Sequence, residues 1–255
     1  MKRNSKHLPR ALALLLCLWG TAQPKAQTYY NYTVDNNTAN LVGGFTVSVD
    51  NNSESGILVG GIEFTANGQA VPGYSDFTTV CTDLAGRIYL GSSYNFTVQS
   101  FSGQAGLNPA WGNNGSGQVD VNAAYQAINN AAYLFSAYQS SATSPGSWAA
   151  LQLAVWKALY DTQENGTIDW NSPRFAVSTD PSGTDWSLAQ TWLNSIPANR
   201  PSFAGYLLYP TDSTAQEVLI NVSPVPEPTT LAAGVILLLP FAASSARFLA
   251  RRSVA

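Results

Sequence analysis

One apolar stretch near the middle of the chain, residues 146–161 (GSWAALQLAVWKALYD), constrains the fold more than any other part of the sequence. It contains almost no residue that resists a helix, and Ser147 can cap the first turn. Its large apolar side chains recur at helical spacing: Trp148, Leu151, Val155 and Leu159. Gln152 and Trp156 form a second stripe beside them. The sequence therefore predicts a buried helix.

Two polar or reactive side chains do not fit an ordinary apolar core. Gln152 lies among the large apolar residues of the predicted helix, and a buried amide must find hydrogen-bond partners or carry out some task. Cys81 lies in the strand-like run 77–84 (FTTVCTDL), where it shares one face with Phe77 and Asp83. What Cys81 and Gln152 do together is the main question that the sequence raises.

The first 26 residues contain the segments of a secretory signal peptide in the usual order. Four basic residues precede the apolar run 11–19, and small residues follow, so cleavage after Ala22 or Ala26 is expected. Removing this leader also removes His7 and Cys17, which leaves a mature chain without histidine and with the single thiol of Cys81. A disulfide within the mature chain is thereby excluded, so Cys81 is either buried or chemically committed.

The expected mature domain is strongly acidic. Between residues 28 and 223, four basic side chains stand against fourteen acidic ones, a net charge of −10. Nucleic acid and anionic lipid are poor partners for a domain with this negative charge, whereas a cation or a neutral polymer is compatible with it. The sequence contains no phosphate-binding loop, no zinc-ligand spacing and no Ser/His pair. We therefore expect no enzyme activity and no cofactor.

The remaining pattern predicts an α+β fold. Short alternating runs from residue 30 to 98 predict antiparallel strands, with a turn at residues 50–52, and a helix starts at or next to Asp120. After residue 161 a polar loop leads to a short helix capped by Thr184 or Asp185, and two strands follow. We expect one exported domain over residues 27–223. Its β part is an antiparallel sandwich or barrel, and a helical subdomain is inserted over about residues 119–196.

The last part of the chain, residues 224–255, combines a proline-rich spacer containing Pro226, Glu227 and Pro228, an apolar run over 231–243, and a basic end with Arg251 and Arg252. The apolar run predicts a short anchor helix, because about twenty residues are needed to span a bilayer comfortably. The three features resemble the PEP-CTERM sorting signal of Gram-negative bacteria; an ordinary membrane anchor is the alternative. The resemblance implies transient anchoring in the inner membrane, processing by an exosortase, and delivery to the cell surface, outer membrane or exopolysaccharide matrix of a biofilm.

A thiol held against a carboxamide carbon can displace ammonia and leave a thioester, provided that water is excluded. The segments 80–84 (VCTDL) and 151–156 (LQLAVW) resemble the two motifs of thioester domains on Gram-positive surface adhesins, with Cys81 and Gln152 at the matching positions. The resemblance implies a β-barrel-like subdomain plus a helical one, and adhesion by covalent capture of an amine or hydroxyl on a surface or matrix partner. The expected pocket is formed by Asp83, Trp148, Val155 and Trp156. Asp83 either orients the incoming nucleophile or serves as a turn or cap residue.

Two alternatives remain open from the sequence. Cys81 could be a small buried hydrophobe while Gln152 hydrogen-bonds to a neighbouring strand, in which case the protein is a non-covalent structural or carbohydrate-binding matrix protein. Residues 161–172 partly follow the spacing of a calcium loop, with Asp161, Asn165 and Asp169 as candidate ligands. The glutamate expected at the twelfth position is replaced by serine, so a polar turn competes with that interpretation.

Overall fold

The computed structural model describes residues 28–84, 86–101, 107–108, 110–112, 120–171 and 173–224. Within these residues the chain forms nine strands and three α-helices. The strands are β1 (Tyr30–Val34), β2 (Leu41–Val49), β3 (Asn52–Gly60), β4 (Ile62–Ala66), β5 (Asp76–Thr79), β6 (Ser93–Ser100), β7 (Phe175–Thr179), β8 (Phe203–Pro210) and β9 (Val218–Pro224). The helices are α1 (Val121–Tyr138), α2 (Pro145–Asp161) and α3 (Asp185–Asn194).

The larger sheet is antiparallel, with six strands in the order β5-β4-β1-β6-β8-β9. Beyond the end of β5 the chain continues alongside β9, where Cys81 forms an isolated bridge with Val218. The amide of Thr82 donates to the carbonyl of Glu217 at 2.9 Å. These contacts bring the two edges of the sheet together, so it is nearly closed and Cys81 lies at the closing seam. The predicted α+β class with a barrel-like antiparallel part is confirmed at this level.

A second sheet of three strands has the order β3-β2-β7. The β2–β3 hairpin turns through Asp50 and Asn51, which both have positive φ angles (50° and 67°), as a two-residue hairpin loop requires. The prediction of a polar loop directly after residue 161 missed β7. Within β7, Phe175 is buried while most of its neighbours are exposed or half-exposed. Because β7 is held by its distant pairing with β2, its local pattern is weak.

The helices form close to where the sequence places them. Asp120 caps α1, as predicted, and its carboxylate accepts from the amides of Asn122 (2.7 Å) and Ala123 (3.2 Å). The start of α2 differs, because Ser144 rather than Ser147 is the N-cap and Pro145 opens the first turn. Ser147 completes a capping box by accepting from the Ser144 amide at 2.9 Å. The helix therefore begins about one turn before Ser147.

Helix α2 is the centre of the fold. Every residue from Trp148 to Asp161 is buried, because the helix packs against α1, α3 and the β2–β3 hairpin. A helix that is enclosed on all sides is apolar all round, as its sequence shows. Its few polar side chains are therefore forced to find partners inside the protein.

Some predictions fall on the ends of the chain. The signal peptide over residues 1–26 lies outside the described residues, and so do Pro226, Glu227, Pro228, Arg251 and Arg252 of the sorting tail. Among the helices that the structure does describe, none has the length and apolar character needed to cross a bilayer.

Candidate functional site

Cys81 and Gln152 meet inside the protein. The Gln152 Oε1 accepts a hydrogen bond from the Cys81 backbone N–H at 2.7 Å, and the Gln152 Nε2 donates to the Cys81 carbonyl oxygen at 2.7 Å. Both residues are only 1% exposed. The carboxamide is therefore clamped at both of its polar ends against the residue that carries the thiol, and both residues are almost wholly shielded from water.

Two rigid elements fix this geometry. The backbone around Cys81 is held by β9, since the Leu219 amide donates to the Val80 carbonyl at 3.3 Å and Thr82 pairs with Glu217 on the other side. Gln152 is held in the third turn of helix α2, within its buried part. The two residues are 71 positions apart in sequence. Their contact is therefore a product of the fold, and a side chain placed in this way cannot easily leave.

The arrangement suits attack on the amide carbon. A donor on Oε1 draws electron density from Cδ, and the same N–H can hold the negative charge that develops on that oxygen. The leaving group, Nε2, already faces a hydrogen-bond acceptor. Burial raises the pKa of the Cys81 thiol, and the nearby charge of Asp83 raises it further. The sulfur is consequently a neutral thiol at rest, and its proton can leave with the nitrogen.

A groove leads from the surface to the pair. It has a volume of about 280 Å³ and is lined by Cys81, Gln152 and Trp156, by β3, and by Leu84 and residues 86–89. At its outer rim Arg87 and Glu54 form an exposed ion pair at 3.0 Å. The indole Nε1 of Trp156 is buried and has no acceptor within the described part of the chain. We call this feature the Cys81 groove.

The other predicted pocket residues lie in three places. Trp156 lines the Cys81 groove. Trp148 packs closely on Gly61, where an added Cβ would lie 2.6 Å from the indole ring, and Val155 is fully buried in the core. Asp83 lines a neighbouring groove of about 270 Å³ together with Tyr160 and Arg174. Trp148 and Val155 thus lie in packed surroundings, and Asp83 lies in the groove next to the pair.

No pattern in the sequence connects Glu217 or Tyr160 with this site. Burial raises the pKa of Glu217 to about 7, and the nearby charge of Asp83 is the second cause. A hydrogen bond to Asn108 acts in the opposite direction and lowers this pKa. The Tyr160 hydroxyl lies 3.5 Å from the Asp83 Oδ1, and burial raises the pKa of this phenol. These contacts depend on the closure of the sheet, so no local sequence signal could have identified them.

The raised pKa of Glu217 predicts a pH-dependent stability. The folded protein binds the Glu217 proton more tightly than the unfolded chain does, so stability should fall as pH rises from about 4.5 to about 7. We expect Glu217→Gln to remove this decline and to be more stable than the wild type at pH 8 by roughly 2 kcal/mol. Urea unfolding at pH 5 and pH 8 measures the difference. Glu164→Gln, at an exposed site, should keep the wild-type profile. An equally steep profile in Glu217→Gln would contradict the assignment.

The candidate calcium ligands have their oxygens engaged by the protein. Asp161 pairs with Lys157 at 2.7 Å, and its two carboxylate oxygens accept from the amides of Arg174 and Phe175. The Asn165 Oδ1 accepts from the Thr167 amide at 2.9 Å. The Asp169 Oδ1 accepts from the amide of residue 171 at 2.8 Å. Nowhere in the described ranges do three or more His, Cys, Asp or Glu side chains cluster so as to hold a metal ion.

Comparison with known proteins gives matches of fold alone. No protein-family model and no curated protein matches the sequence. Among solved structures, the chain is similar to the N-terminal thioester domain of a surface protein from Clostridium perfringens, with a TM-score of 0.41 and 12% identity, over 75% of this chain and 97% of that one. A variant of that domain with a cysteine replaced by alanine gives a TM-score of 0.37 and 12% identity, over 71% of this chain and 99% of the other.

Proposed function

We propose that this protein forms an internal thioester between the Cys81 Sγ and the Gln152 Cδ, and that it uses this bond to attach covalently to a polymer bearing amines or hydroxyls. The observation that carries the proposal is the double hydrogen bond by which the Cys81 backbone holds the Gln152 carboxamide in a water-excluding contact. Proximity and fixed orientation of this kind are the main requirement of such a reaction, which needs no histidine.

The proposed reaction has two steps. In the first, the Cys81 sulfur adds to Gln152 Cδ while the Cys81 N–H stabilises the charge on Oε1; the C–N bond then breaks, and ammonia leaves with the thiol proton. In the second, an amine or hydroxyl adds to the same carbon, the C–S bond breaks, and the sulfur recovers a proton as a thiol. The product is an amide or ester between Gln152 and the partner. No oxidant, metal or cofactor enters either step.

The proposed setting is the outside of a Gram-negative cell. It is supported by the leader over residues 1–26 and by the tail over residues 224–255, which resembles a PEP-CTERM signal. An exosortase would process the tail at the inner membrane and release the domain to the cell surface or the exopolysaccharide matrix. In that place a stored acyl bond would serve as an adhesive, consumed once for each attachment.

Intact mass of the freshly isolated mature protein tests the thioester. We expect a mass lower by one ammonia than the sequence predicts, and conversion of that species by methylamine to a covalent adduct. Cys81→Ala should show neither change, because the alanine keeps both backbone hydrogen bonds but has no sulfur. A wild-type protein of full mass that does not react with methylamine would exclude the proposal.

A non-covalent matrix protein is the second candidate. One observation favours it: the same two hydrogen bonds satisfy both polar atoms of the buried Gln152 side chain, which would be sufficient reason for them without any chemistry. Exposed aromatic side chains such as Trp170 (41%) could then contact sugars. Attachment of cells or matrix that persists in Cys81→Ala would support this candidate over the first.

A further inference from the structure

Strand β3 is an edge strand in the part of the chain that the structure describes. Among the described strands it pairs with β2 alone, at the outside of the three-stranded sheet. An edge strand presents a row of unpaired backbone N–H and C=O groups, which another extended chain can pair with. The exposure of residues 52–56 agrees with this position. The Cys81 groove runs along part of this strand, from Glu54 to Gly60.

The register of the hairpin shows which residues face outward. The two-residue turn at Asp50 and Asn51 makes Val49 and Asn52 a hydrogen-bonded pair, and the pairing stays regular as far as Ser55. Backbone groups alternate along an antiparallel strand, so Ser53 and Ser55 direct their N–H and C=O groups away from β2. Ser55 lines the groove and Ser53 lies just before it.

The walls of the groove suit a side chain attached to an extended backbone. Two large apolar residues at its mouth are unusually exposed, Leu58 at 50% and Tyr89 at 63%. Cys81 and Gln152 also contribute to its lining. The volume of about 280 Å³ lies near the lower end of the range of roughly 300–1,000 Å³ that encloses drug-sized ligands, which is room for one long side chain.

The charges around the groove indicate which kind of side chain would enter it. The domain carries a net charge of −10 over residues 28–223, and Glu54 and Asp83 are carboxylates in the two adjoining grooves. A second copy of this acidic chain would be repelled, whereas a lysine-bearing segment would be attracted. The exposed ion pair between Glu54 and Arg87 can be exchanged at little cost for one between Glu54 and an incoming ammonium group.

We propose that the partner is an extended, lysine-bearing polypeptide segment that docks by adding a strand to the free edge of β3, with its lysine side chain reaching along the Cys81 groove. The inference rests on the proposed function for the covalent step, in which the lysine amine takes the acyl group from the Cys81 sulfur and restores the thiol. The docking itself involves no covalent bond, so it can be measured separately.

The test compares proline variants of the edge strand. Ser55→Pro removes an outward N–H inside the groove without removing a bond to β2, which an edge strand tolerates. Ser53→Pro makes the same change two residues away and is the matched control. The probes are methylamine and a capped pentapeptide of sequence Val-Thr-Lys-Val-Thr. We expect the wild type to couple the peptide about tenfold faster than methylamine, and Ser55→Pro to lose this advantage while its methylamine rate is unchanged.

A binding measurement separates docking from thioester chemistry. Anisotropy of the fluorescein-labelled peptide on Cys81→Ala protein, which cannot couple, should show about tenfold weaker binding when Ser55→Pro is added and no change with Ser53→Pro. Equal binding to all three proteins would overturn the docking proposal, as would an equal loss of both coupling rates in Ser55→Pro. A protein that binds the peptide in this edge-dependent way but shows no ammonia deficit would support docking and refute the thioester.

Discussion

Methylamine should destabilise the wild-type protein by roughly 4 kcal/mol. The proposed bond joins residues 71 positions apart, and closing a chain loop of that length removes entropy from the unfolded state, by about this amount in the chain-entropy account of cross-links. Aminolysis opens the loop while leaving the folded contacts largely in place. The loss should therefore appear as a lower free energy of unfolding with faster unfolding in urea.

Cys81→Ala provides the control for this measurement. The variant lacks the cross-link from the start, so it should be less stable than the untreated wild type by a similar amount and should not respond to methylamine. Its backbone still holds Gln152 at both ends, so the fold itself should persist. Gln152→Ala loses those two hydrogen bonds as well, so it should be less stable than both the wild type and Cys81→Ala. If methylamine leaves the unfolding curve of the wild type where it was, no cross-link of this kind exists.

The pairing of Cys81 with Gln152 could be anticipated because both residues are anomalous for where they lie. A lone thiol in a chain predicted to be exported and a glutamine within an apolar helix each need an explanation, and a short motif resemblance connected them. The helices were also predictable, since capping and 3.6-residue periodicity are local signals. The start of α2 was misplaced by about one turn because Ser144 and Ser147 can both act as caps, and the choice depends on Pro145.

Features that depend on pairing between distant segments were not predictable. The seam between residues 80–82 and β9 closes the sheet, but nothing near Cys81 in sequence indicates its partner. The raised pKa of Glu217 follows from the same closure. Strand β7 has only a short and weak pattern of its own and forms because β2 offers it an edge. The groove along β3 likewise exists only when three separate parts of the chain come together.

The buried ion pair of α2 should matter most for stability apart from the cross-link. The Lys157 ammonium lies 2.7 Å from the Asp161 carboxylate, and these side chains are 2% and 0% exposed. The ammonium also donates to the carbonyls of Asp169 (3.1 Å) and Phe175 (3.5 Å) and lies 4.9 Å from the ring of Trp170. This one side chain therefore ties the end of α2 to the segment that leads into β7.

Lys157→Met should lower the free energy of unfolding by about 3–5 kcal/mol, because it leaves a buried carboxylate without its counter-charge. Burial already raises the pKa of Asp161 despite Lys157, and a group with a raised pKa loses stability as pH rises through that pKa. The deficit should therefore be smallest in acid, where Asp161 is protonated, and largest at neutral pH. Urea unfolding at pH 4 and pH 7 measures both values.

Two further variants make the result specific. Lys157→Met combined with Asp161→Asn should recover part of the loss at pH 7, since no unpaired buried charge remains, and the double-mutant cycle gives the coupling between the two residues. Arg87→Ala breaks the exposed pair with Glu54 and should cost less than about 1 kcal/mol. The loss of unfolding free energy in Lys157→Met could instead be as small as that in Arg87→Ala, or independent of pH. Either result would mean that water reaches this pair and that Lys157 does not tie the end of α2 to the segment before β7.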